Sequence, residues 1–511
     1  MKLHRLAPMA LAIMALTLLD ATAIAAPVTG ARLAAAASES QNWLMGIGDY
    51  GANRYSGLDG LNAANAGKLK LLFTVSLGPI SAGDGFEQTR ISAPLVDDGM
   101  LYVADAFGTV YKIDVTSGVN GKILWSSKPI EPVMDAWLDG QWSLTFSGNS
   151  VILAAGDGRL FWFDRDSGAQ TQAATIADPA TGFVQVAPPL LVDGKLIVGG
   201  AGGERGARPQ ISALDATSGA LLWRSFAAEE DGAIIAGGSF LRSGAYDAKS
   251  DLTLWATSGP LPAYNPALRR GENATNAVLA VKTSTGEVAW RQNLLETDVM
   301  GFNQAATPLL VDGGAVHIGD DGQMRRLNIA SGAVELAQPF VMGLATAQAG
   351  CPNIIAEEHM PASVSGRTGL VYAAENNGCR ADLSAIGNLE GRSEGGHYSN
   401  KTVTTGALAA IDPQTGKTVA EHLFDFPLQS GVLSTAGGLV FAATANGSVH
   451  VLDDETLDTL WSSHISSFMA SPPISYGVDG RQYIALLVGG GPLYSEVSFK
   501  ARDMVGVRHL T

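Results

Sequence analysis

A short phrase recurs along the chain and constrains its fold more than any other feature. In each copy a β-rich run is followed by an aspartate or a substitute for it, two spacers, Ser or Thr and then Gly, as in residues 114–118 before Trp125 and 215–219 before Trp223. Aspartate caps its own backbone and glycine accepts a positive φ, so the phrase predicts a hairpin between two strands. Further copies lie at residues 164–168, 281–286, 328–332, 412–416 and, without the glycine, 453–456.

The spacing of these hairpins predicts the fold class. The turn glycines stand at positions 118, 168, 219, 286, 332 and 416, so the copies recur every 46 to 84 residues. Apolar strands such as residues 100–104 and 439–443 fit sheets that are covered on both faces. Repeats of this size, made of strands and tight turns, predict an all-β fold, a β-propeller. Seven hairpins are visible, and residues 69–75 with 483–488 would complete another blade, so we expect an eight-bladed β-propeller closed by its two ends, with seven blades as the alternative.

Composition agrees with one large β-domain and limits its partners. Only 16% of the 511 residues are charged and 61 are glycine, which is typical of a chain rich in turns and poor in solvated helices. We expect the propeller domain to span residues 41–511, after a flexible lead-in over residues 26–40. The formal net charge of −16 and the lack of a basic run argue against a nucleic acid partner.

The first 25 residues have the pattern of a signal peptide. Lys2 and Arg5 precede an apolar stretch over residues 6–19, and small residues up to Ala25 offer a cleavage site. Asp20 makes the apolar stretch too short for a membrane span. We therefore predict a periplasmic protein with no membrane span, and an uncleaved anchor is the alternative.

Two cysteines in an exported chain suggest a disulfide. Cys351 and Cys379 are 28 residues apart and flank a strand and a loop within one insertion, which their oxidation would close. The alternative is a pair of unpaired thiols. Neither cysteine belongs to a Cys-x-x-Cys-His pattern, so the sequence predicts no c-type haem in this chain.

Several segments resemble the pyrroloquinoline quinone (PQQ) dependent alcohol dehydrogenases. Residues 49–58 and 65–71 are similar to the family's first blade, and residues 471–483 to its end. Residues 199–208 resemble its glycine-rich loop with a glutamate, and residues 271–273 its Gly-Asp-Asn. The two cysteines also fall where the family places a disulfide. The resemblance covers nearly the whole mature chain and implies an eight-bladed propeller with PQQ and usually Ca²⁺ near its axis.

The resemblance also implies roles for particular residues. A hard dication polarises the quinone carbonyl, while a carboxylate takes the substrate hydroxyl proton as hydride moves to the cofactor. The metal and cofactor ligand maps onto Glu204, where Gly202 and Gly203 would let the backbone approach a flat cofactor. The catalytic base, also at the metal, maps onto Asp298. The alternatives are a solvated charge in a hairpin loop and an exposed loop aspartate. Met300 stands where lanthanide-using members carry a further aspartate, which favours calcium.

The sequence departs from the family's pattern at several positions. Gly259 falls where the family has an asparagine metal ligand, so a cation that prefers six or more oxygens would need Asn265, Asn303 or water instead. Leu241 replaces the tryptophan under the quinone, keeping apolar contact at the cofactor but losing stacking. Asp320 falls near the position of an arginine at the quinone's reactive edge. The family's vicinal cysteine pair is absent.

Two functions remain open from the sequence. The first is a periplasmic PQQ-dependent oxidoreductase that oxidises a small alcohol or related hydroxyl substrate by hydride transfer to the quinone. Since the chain has no haem motif, the electrons would leave through an external acceptor such as a cytochrome c. The second is a propeller that has lost catalysis and serves as a binding or assembly scaffold. Both mapped carboxylates favour the enzyme, and the lost positions favour the scaffold.

Overall fold

The structure is a computed structural model that describes most of the chain between residues 26 and 489. The described ranges are residues 26–77, 93–105, 108–130, 142–185, 187–202, 207–227, 237–260, 274–295, 302–341, 360–384, 397–465 and 471–489, with residues 298, 467 and 469. Over residues 377–384 and 397–404 only the backbone is described. The signal peptide and Cys351 therefore lie outside the described residues, and Cys379 lies where no side chain is described, so both predictions stay predictions.

The N-terminal part contains short elements. These are helix α1 (Gly30–Ala34), two 3₁₀ turns (Ala36–Ser38 and Ala66–Lys68) and strand β1 (Tyr55–Ser56). A third 3₁₀ turn lies further on at Pro179–Thr181. None of the described helices reaches the length and apolar character of a membrane span.

Seven four-stranded antiparallel sheets follow one another along the described chain. Sheet 1 contains β2 (Leu95–Asp97), β3 (Met100–Ala104), β4 (Val110–Asp114) and β5 (Lys122–Ser127). Sheet 2 contains β6 (Ser143–Ser147), β7 (Ser150–Ala154), β8 (Arg159–Asp164) and β9 (Gln170–Thr175). Sheet 3 contains β11 (Leu190–Val192), β12 (Lys195–Ala201), β13 (Gln210–Asp215) and β14 (Leu221–Phe226), and β10 (Val184–Gln185) pairs with the end of β12.

The remaining sheets repeat this pattern. Sheet 4 contains β15 (Ala245–Asp247), β16 (Leu252–Ala256), β17 (Ala277–Lys282) and β18 (Val288–Asn293). Sheet 5 contains β19 (Leu309–Val311), β20 (Gly314–Ile318), β21 (Gln323–Leu327) and β22 (Val334–Pro339). Sheet 6 contains β23 (Ser363–Val364), β24 (Val371–Ser384), β25 (His397–Ile411) and β26 (Thr418–Phe424). Sheet 7 contains β27 (Leu433–Thr435), β28 (Leu439–Thr444), β29 (Ser448–Asp453) and β30 (Thr459–His464), with β1 beside β27. The chain ends in the hairpin β31 (Ile474–Val478) and β32 (Arg481–Ala485).

The repeated phrase joins the third strand of each sheet to the fourth and also joins neighbouring sheets. In sheet 3, the Asp215 carboxylate accepts from the backbone N–H of Ser218 at 2.7 Å, and Gly219 has a φ of +69°. The tryptophan of a fourth strand packs on the turn of the next sheet. Trp223, for example, donates its indole N–H to the carbonyl of Thr283 at 3.1 Å beside Gly286. The phrase therefore couples each hairpin to the preceding sheet, which explains why its glycine and tryptophan recur together.

The prediction of eight blades is wrong for the described chain, which has seven four-stranded sheets and a final two-stranded hairpin. Residues 69–77 form no strand, although Phe73 and Val75 lie against Gly121 of sheet 1. The two ends still approach each other, because Gln482 Oε1 accepts from the backbone N–H of Leu61 at 2.8 Å. An apolar pattern predicts a strand but not its partner. The ends pack together here without pairing as one described sheet.

Residues 43–56 form an axis segment that crosses the first, innermost strands of the sheets. Its backbone or side chains bond to six of the seven four-stranded sheets within the described chain. The partners are Val96 of β2, Leu191 of β11, Tyr246 of β15, Leu310 of β19, Val364 of β23 and Ser434 of β27. The buried Arg54 guanidinium donates to the carbonyls of Gly46, Val432 and Pro473 at 2.6 to 3.0 Å. One short segment thus links sheets that are far apart in sequence.

Residues 26–40, for which the sequence predicts a flexible lead-in, make specific contacts with the sheets in this structure. Val28 pairs with Gly148 of sheet 2, and Leu33 is buried. The Arg32 guanidinium forms ion pairs with Glu39 at 2.7 Å and with the buried Asp97 at 2.6 Å. The sequence pattern missed this packing because the partner of Arg32 lies 65 residues away.

Candidate active site

The residues that the sequence singled out lie in connections at one end of the propeller. In a four-stranded antiparallel sheet, the second-to-third connection and the link to the next sheet leave from the same edge. We call this end the loop face and the opposite end, which carries the repeated hairpins, the turn face. The loop face carries Gly202 between β12 and β13, Leu241 between β14 and β15, Gly259 between β16 and β17, Asp298 between β18 and β19, and Asp320 between β20 and β21. Gly203 and Glu204 lie outside the described residues.

We call the glycine-rich segment over residues 199–208 the glutamate loop. A path of hydrogen bonds runs across the loop face from Gly202 in this segment to Asp298. The backbone N–H of Gly202 donates to the hydroxyl of Ser239 at 3.3 Å, and the backbone N–H of Ser239 donates to the hydroxyl of Ser258 at 2.9 Å. Asn276 donates its backbone N–H to the Ser258 carbonyl at 2.9 Å and its side-chain amide to Asp298 Oδ2 at 3.2 Å. Ser239, Ser258 and Asn276 are all buried. This path fixes the start of the glutamate loop relative to the Asp298 carboxylate.

Asp298 is buried, with only 4% of its surface exposed. An exposed loop aspartate was the alternative, and the structure does not place the residue that way. A buried carboxylate must be held by hydrogen bonds or by a cation, because desolvation without partners is costly. Asn276 supplies one such hydrogen bond. The position suits a group that works in a protected site, and the catalytic role itself stays a prediction.

The backbone conformation at position 202 and the close contact of that position with Gly182 require a glycine. Its φ is +113°, and a Cβ at this position would clash with the carbonyl oxygen of Gly182. The missing side chain of Gly202 therefore makes room for the backbone of Gly182. The sequence-based expectation is that it makes room for a flat cofactor. The residue anchors the loop that leads to Glu204, and a role in cofactor binding is not tested by this contact.

Gly259 lies beside Asn276 and leaves no room for the asparagine that the family carries. A Cβ at position 259 would lie 2.5 Å from the carbonyl oxygen of Phe302. The same point is 3.4 Å from the side-chain oxygen of Asn276. Of the proposed substitutes, Asn265 lies outside the described residues, and Asn303 accepts from the Ala305 N–H at 3.0 Å in its own turn.

Asn276 is the residue that the sequence analysis missed. It is buried, adopts a φ of +48°, and has a side-chain oxygen with no hydrogen-bond partner in the described part of the chain. A sequence signal exists only in hindsight, because an asparagine before a strand is ordinary turn chemistry. Its position becomes informative only once Asp298, 22 residues further on, is seen beside it.

Leu241 and Asp320 differ in their surroundings, which are apolar at Leu241 and polar at Asp320. Leu241 is half-buried, and the fully buried ring of its neighbour Phe240 packs edge-on against Trp255 with centroids 6.1 Å apart. Phe240 and Trp255 thus belong to the hydrophobic core next to Leu241. Asp320 is buried, and its Oδ2 accepts from the backbone N–H of Asn303 at 3.3 Å.

A buried polar cluster adjoins Asp320 in sheet 5. Arg325 forms a two-pronged ion pair with Asp321, one contact of which is 2.9 Å, so its charge is already balanced. His317 donates to the Gln304 carbonyl at 2.9 Å, and burial lowers its pKa to about 4. The side-chain amide of Gln304 is buried without a described partner. The cluster therefore presents a neutral imidazole and an unused amide rather than the positive edge that an arginine at 320 would give.

The donor atoms present suit a hard cation and a polar cofactor in part. Asp298 and Asn276 offer carboxylate and amide oxygens, the ligand types that Ca²⁺ prefers. Within the described ranges, no three His, Cys, Asp or Glu side chains gather closely enough to hold a metal by themselves. The described residues therefore offer two of the oxygen ligands that such a cation would need, and the role of Glu204 stays a prediction.

The comparisons with known proteins agree with this architecture. Residues 43–319 match the family described as "Glucose/ethanol/alcohol dehydrogenase, beta-propeller domain", and residues 404–486 match that described as "Outer membrane protein assembly factor BamB". Because the first match covers more than half of the chain, the protein belongs to the PQQ family of glucose, ethanol and alcohol dehydrogenase β-propellers.

Individual relatives span nearly the whole chain. The quinoprotein alcohol dehydrogenase PedH of Pseudomonas putida is 28% identical over 90% of this chain and 88% of its own length. A lanthanide-dependent methanol dehydrogenase of Methylacidiphilum fumariolicum is 27% identical, with 89% of this chain and 85% of that protein covered. Among solved structures, a europium-containing methanol dehydrogenase has a TM-score of 0.74 at 23% identity and covers 90% of this chain and 92% of its own. That likeness supports the shared propeller fold.

Proposed function

We propose that this protein is a PQQ-dependent oxidoreductase that oxidises an alcohol or a related hydroxyl compound. The observation that carries the proposal is the buried Asp298 carboxylate, which Asn276 orients and a hydrogen-bonded path ties to the glutamate loop. The family and the named relatives supply the reaction class. We further propose Ca²⁺ as the metal, since Met300 stands where lanthanide-using members have a carboxylate.

We assign each of the chain's own residues at the site a separate role. PQQ, when bound, supplies the acceptor for the hydride from the substrate carbon. Asp298 would take the hydroxyl proton, because a positioned carboxylate within reach of that proton can act as a general base. Asn276 holds the carboxylate through Oδ2, and the neighbouring connections shield it from bulk water. Glu204 and Asp298 are the residues proposed to hold the metal.

The proposal extends to location and partners. The leader over residues 1–25 supports export to the periplasm, where Cys351 and Cys379 would be oxidised. The absence of a haem-binding motif from the sequence means that electrons would pass to an external acceptor, such as a cytochrome c. A small hydroxyl compound is the proposed substrate class.

A catalytically inactive scaffold is the second candidate. Position 259 has no side chain, Asp320 stands in place of a positive charge, and residues 404–486 match the assembly-factor family. The deciding experiment mixes the purified mature protein with PQQ and either CaCl₂ or LaCl₃. It then measures cofactor binding by calorimetry and dye reduction with a panel of alcohols. Stoichiometric binding with dye reduction supports the dehydrogenase, binding without turnover supports the scaffold, and turnover with La³⁺ alone would overturn the choice of calcium.

A further inference from the structure

The loop face contains a buried side-chain oxygen close to position 259, where this chain has no side chain. Asn276 is 99% buried, and its Oδ1 has no hydrogen-bond partner in the described part of the chain. A buried polar atom without a partner is unfavourable by the full cost of its desolvation, so native proteins rarely keep one unless something binds it. The atom lies beside position 259, within 3.4 Å of where a Cβ would stand.

Position 259 and Asn276 are complementary. A side chain at 259 is excluded, because the carbonyl oxygen of Phe302 would lie 2.5 Å from its Cβ. Asn276 reaches the same neighbourhood from the start of β17, in a left-handed conformation that asparagine tolerates better than most residues. Its amide nitrogen is already used by Asp298 Oδ2 at 3.2 Å, which leaves the oxygen on the other side of the amide. Both amide atoms lie near position 259, because a Cβ there would be 3.4 Å from Oδ1 and 3.6 Å from Nδ2, and of the two only Oδ1 is left without a described partner.

We propose that Asn276 Oδ1 is a direct ligand of the cation in this site and takes over the function that position 259 has lost. A hard dication such as Ca²⁺ accepts neutral amide oxygens together with carboxylates. Asn276 would then serve the site twice, by binding the cation through Oδ1 and by orienting the Asp298 carboxylate through Nδ2. The inference rests on the proposed function only in taking the cation to be the one that accompanies PQQ.

The test measures cation affinity directly. Wild-type protein and its variants are titrated with CaCl₂ by calorimetry, with and without saturating PQQ. Asn276→Gly removes the amide yet tolerates the left-handed backbone, and it should weaken Ca²⁺ binding by about tenfold or more. Asn276→Asp keeps an oxygen at the same place and adds a charge, so its affinity should equal or exceed that of the wild type.

The matched control is Asn376→Ala. Asn376 is also fully buried, but its amide is satisfied by the backbone of Leu428, which accepts from Nδ2 at 2.9 Å and donates to Oδ1 at 2.6 Å. This variant should melt at a lower temperature and keep its Ca²⁺ affinity within about twofold of the wild type.

The outcomes separate this inference from the proposed function. If Asn276→Gly binds Ca²⁺ as the wild type does, Asn276 is not a ligand, whether or not the protein oxidises alcohols. If that variant loses turnover alone, Asn276 only positions Asp298, which also overturns the inference. Asn276-dependent Ca²⁺ binding without dye reduction would keep the ligand and remove the dehydrogenase. A wild-type protein that binds no Ca²⁺ even with PQQ would overturn this inference and the choice of calcium, and the dehydrogenase would then depend on the result with LaCl₃.

Discussion

The two ends of the propeller contrast in how their polar groups are satisfied. On the turn face the aspartate hairpins satisfy their turn N–H groups locally. The Asp215 carboxylate accepts from the backbone two and three residues on, and the Asp164 and Asp412 hairpins do the same. On the loop face the connections differ in length, and the path of hydrogen bonds from Gly202 through Asn276 to Asp298 spans four of them. Repetition thus defines the architecture, and the departures from repetition define the site.

The loop face also retains buried polar atoms that nothing in the described chain satisfies. The side-chain oxygen of Asn276 and the amide of Gln304 are examples, and both adjoin residues that the sequence had singled out. Such an atom costs free energy when it has no partner, and the Asn276 oxygen belongs to the same amide that donates to the Asp298 carboxylate. The contrast predicts that substitutions on the loop face change function, whereas those on the turn face change stability.

The largest expected effect tests the loop face. Asp298→Asn keeps the size of the side chain and its place beside Asn276 but removes the proton acceptor. We expect PQQ binding to persist and turnover to fall by about 10²-fold or more, the usual loss for a general base. The matched turn-face control is Asp215→Ala, which should leave turnover unchanged. Steady-state dye reduction and PQQ titration measure both, and equal turnover in Asp298→Asn and the wild type would mean that the base lies elsewhere.

Glu204→Gln sharpens the comparison within the loop face. The resemblance to the family implies that Glu204 is a metal ligand. Removing the charge of Glu204 should weaken metal-dependent PQQ binding by roughly 10- to 100-fold. Its phenotype therefore differs from that of Asp298→Asn, which keeps the cofactor. Calorimetric titration with PQQ, with and without CaCl₂, separates the two. Unchanged PQQ affinity in Glu204→Gln would show that Glu204 does not bind the metal and that the role assigned to it is wrong.

The same contrast explains what the sequence could and could not predict. The hairpin phrases are local, so residues such as Asp215 and Gly219 revealed the propeller and the position of each turn. Closure was mispredicted because an apolar stretch such as residues 69–75 carries strand propensity but no information about a free sheet edge. Asn276 was missed for a related reason, since its importance arises from contacts with Asp298 and Gly259 that only the fold creates.

On the turn face, Gly286→Ala should lower stability without touching the site. Gly286 has a φ of +80°, and a Cβ there would lie 2.6 Å from the Trp223 ring. The strained backbone and the overpacked ring together should cost roughly 2 kcal/mol or more of unfolding free energy. Gly194→Ala is the control, because it has a φ of +75° but nothing within 4 Å, so it should lose only the backbone part. Thermal melting compares the two, and equal losses would remove the role assigned to the tryptophan contact.

The smallest effect concerns an acid pair within the strands of sheet 6, in which Glu375 is buried and Glu421 is half-buried. Glu375 and Glu421 lie on one face of that sheet, since Glu375 pairs with Ala407 and Glu421 with Ala409. Burial first, and then Glu421, raise the pKa of Glu375 to about 8. The folded protein thus holds a proton between about pH 4.5 and 8 that the unfolded chain has released. The stability that protonated Glu375 contributes is complete below about pH 4.5. It falls as the pH rises above 4.5 and is lost once the pH has passed through about 8.

Melting temperatures measured from pH 5 to pH 9 test this pair. The wild type should lose roughly 1 to 2 kcal/mol more than Glu375→Gln across this range, because the amide keeps a hydrogen bond to Glu421 and cannot ionise. Glu421→Gln provides the converse control, since it removes the neighbouring charge and should flatten the same profile. If Glu375→Gln and the wild type melt in parallel at every pH, the pair ionises without cost. Buried carboxylates would then be tolerated elsewhere in the propeller, and the burial of Asp298 would lose its value as a marker of the site.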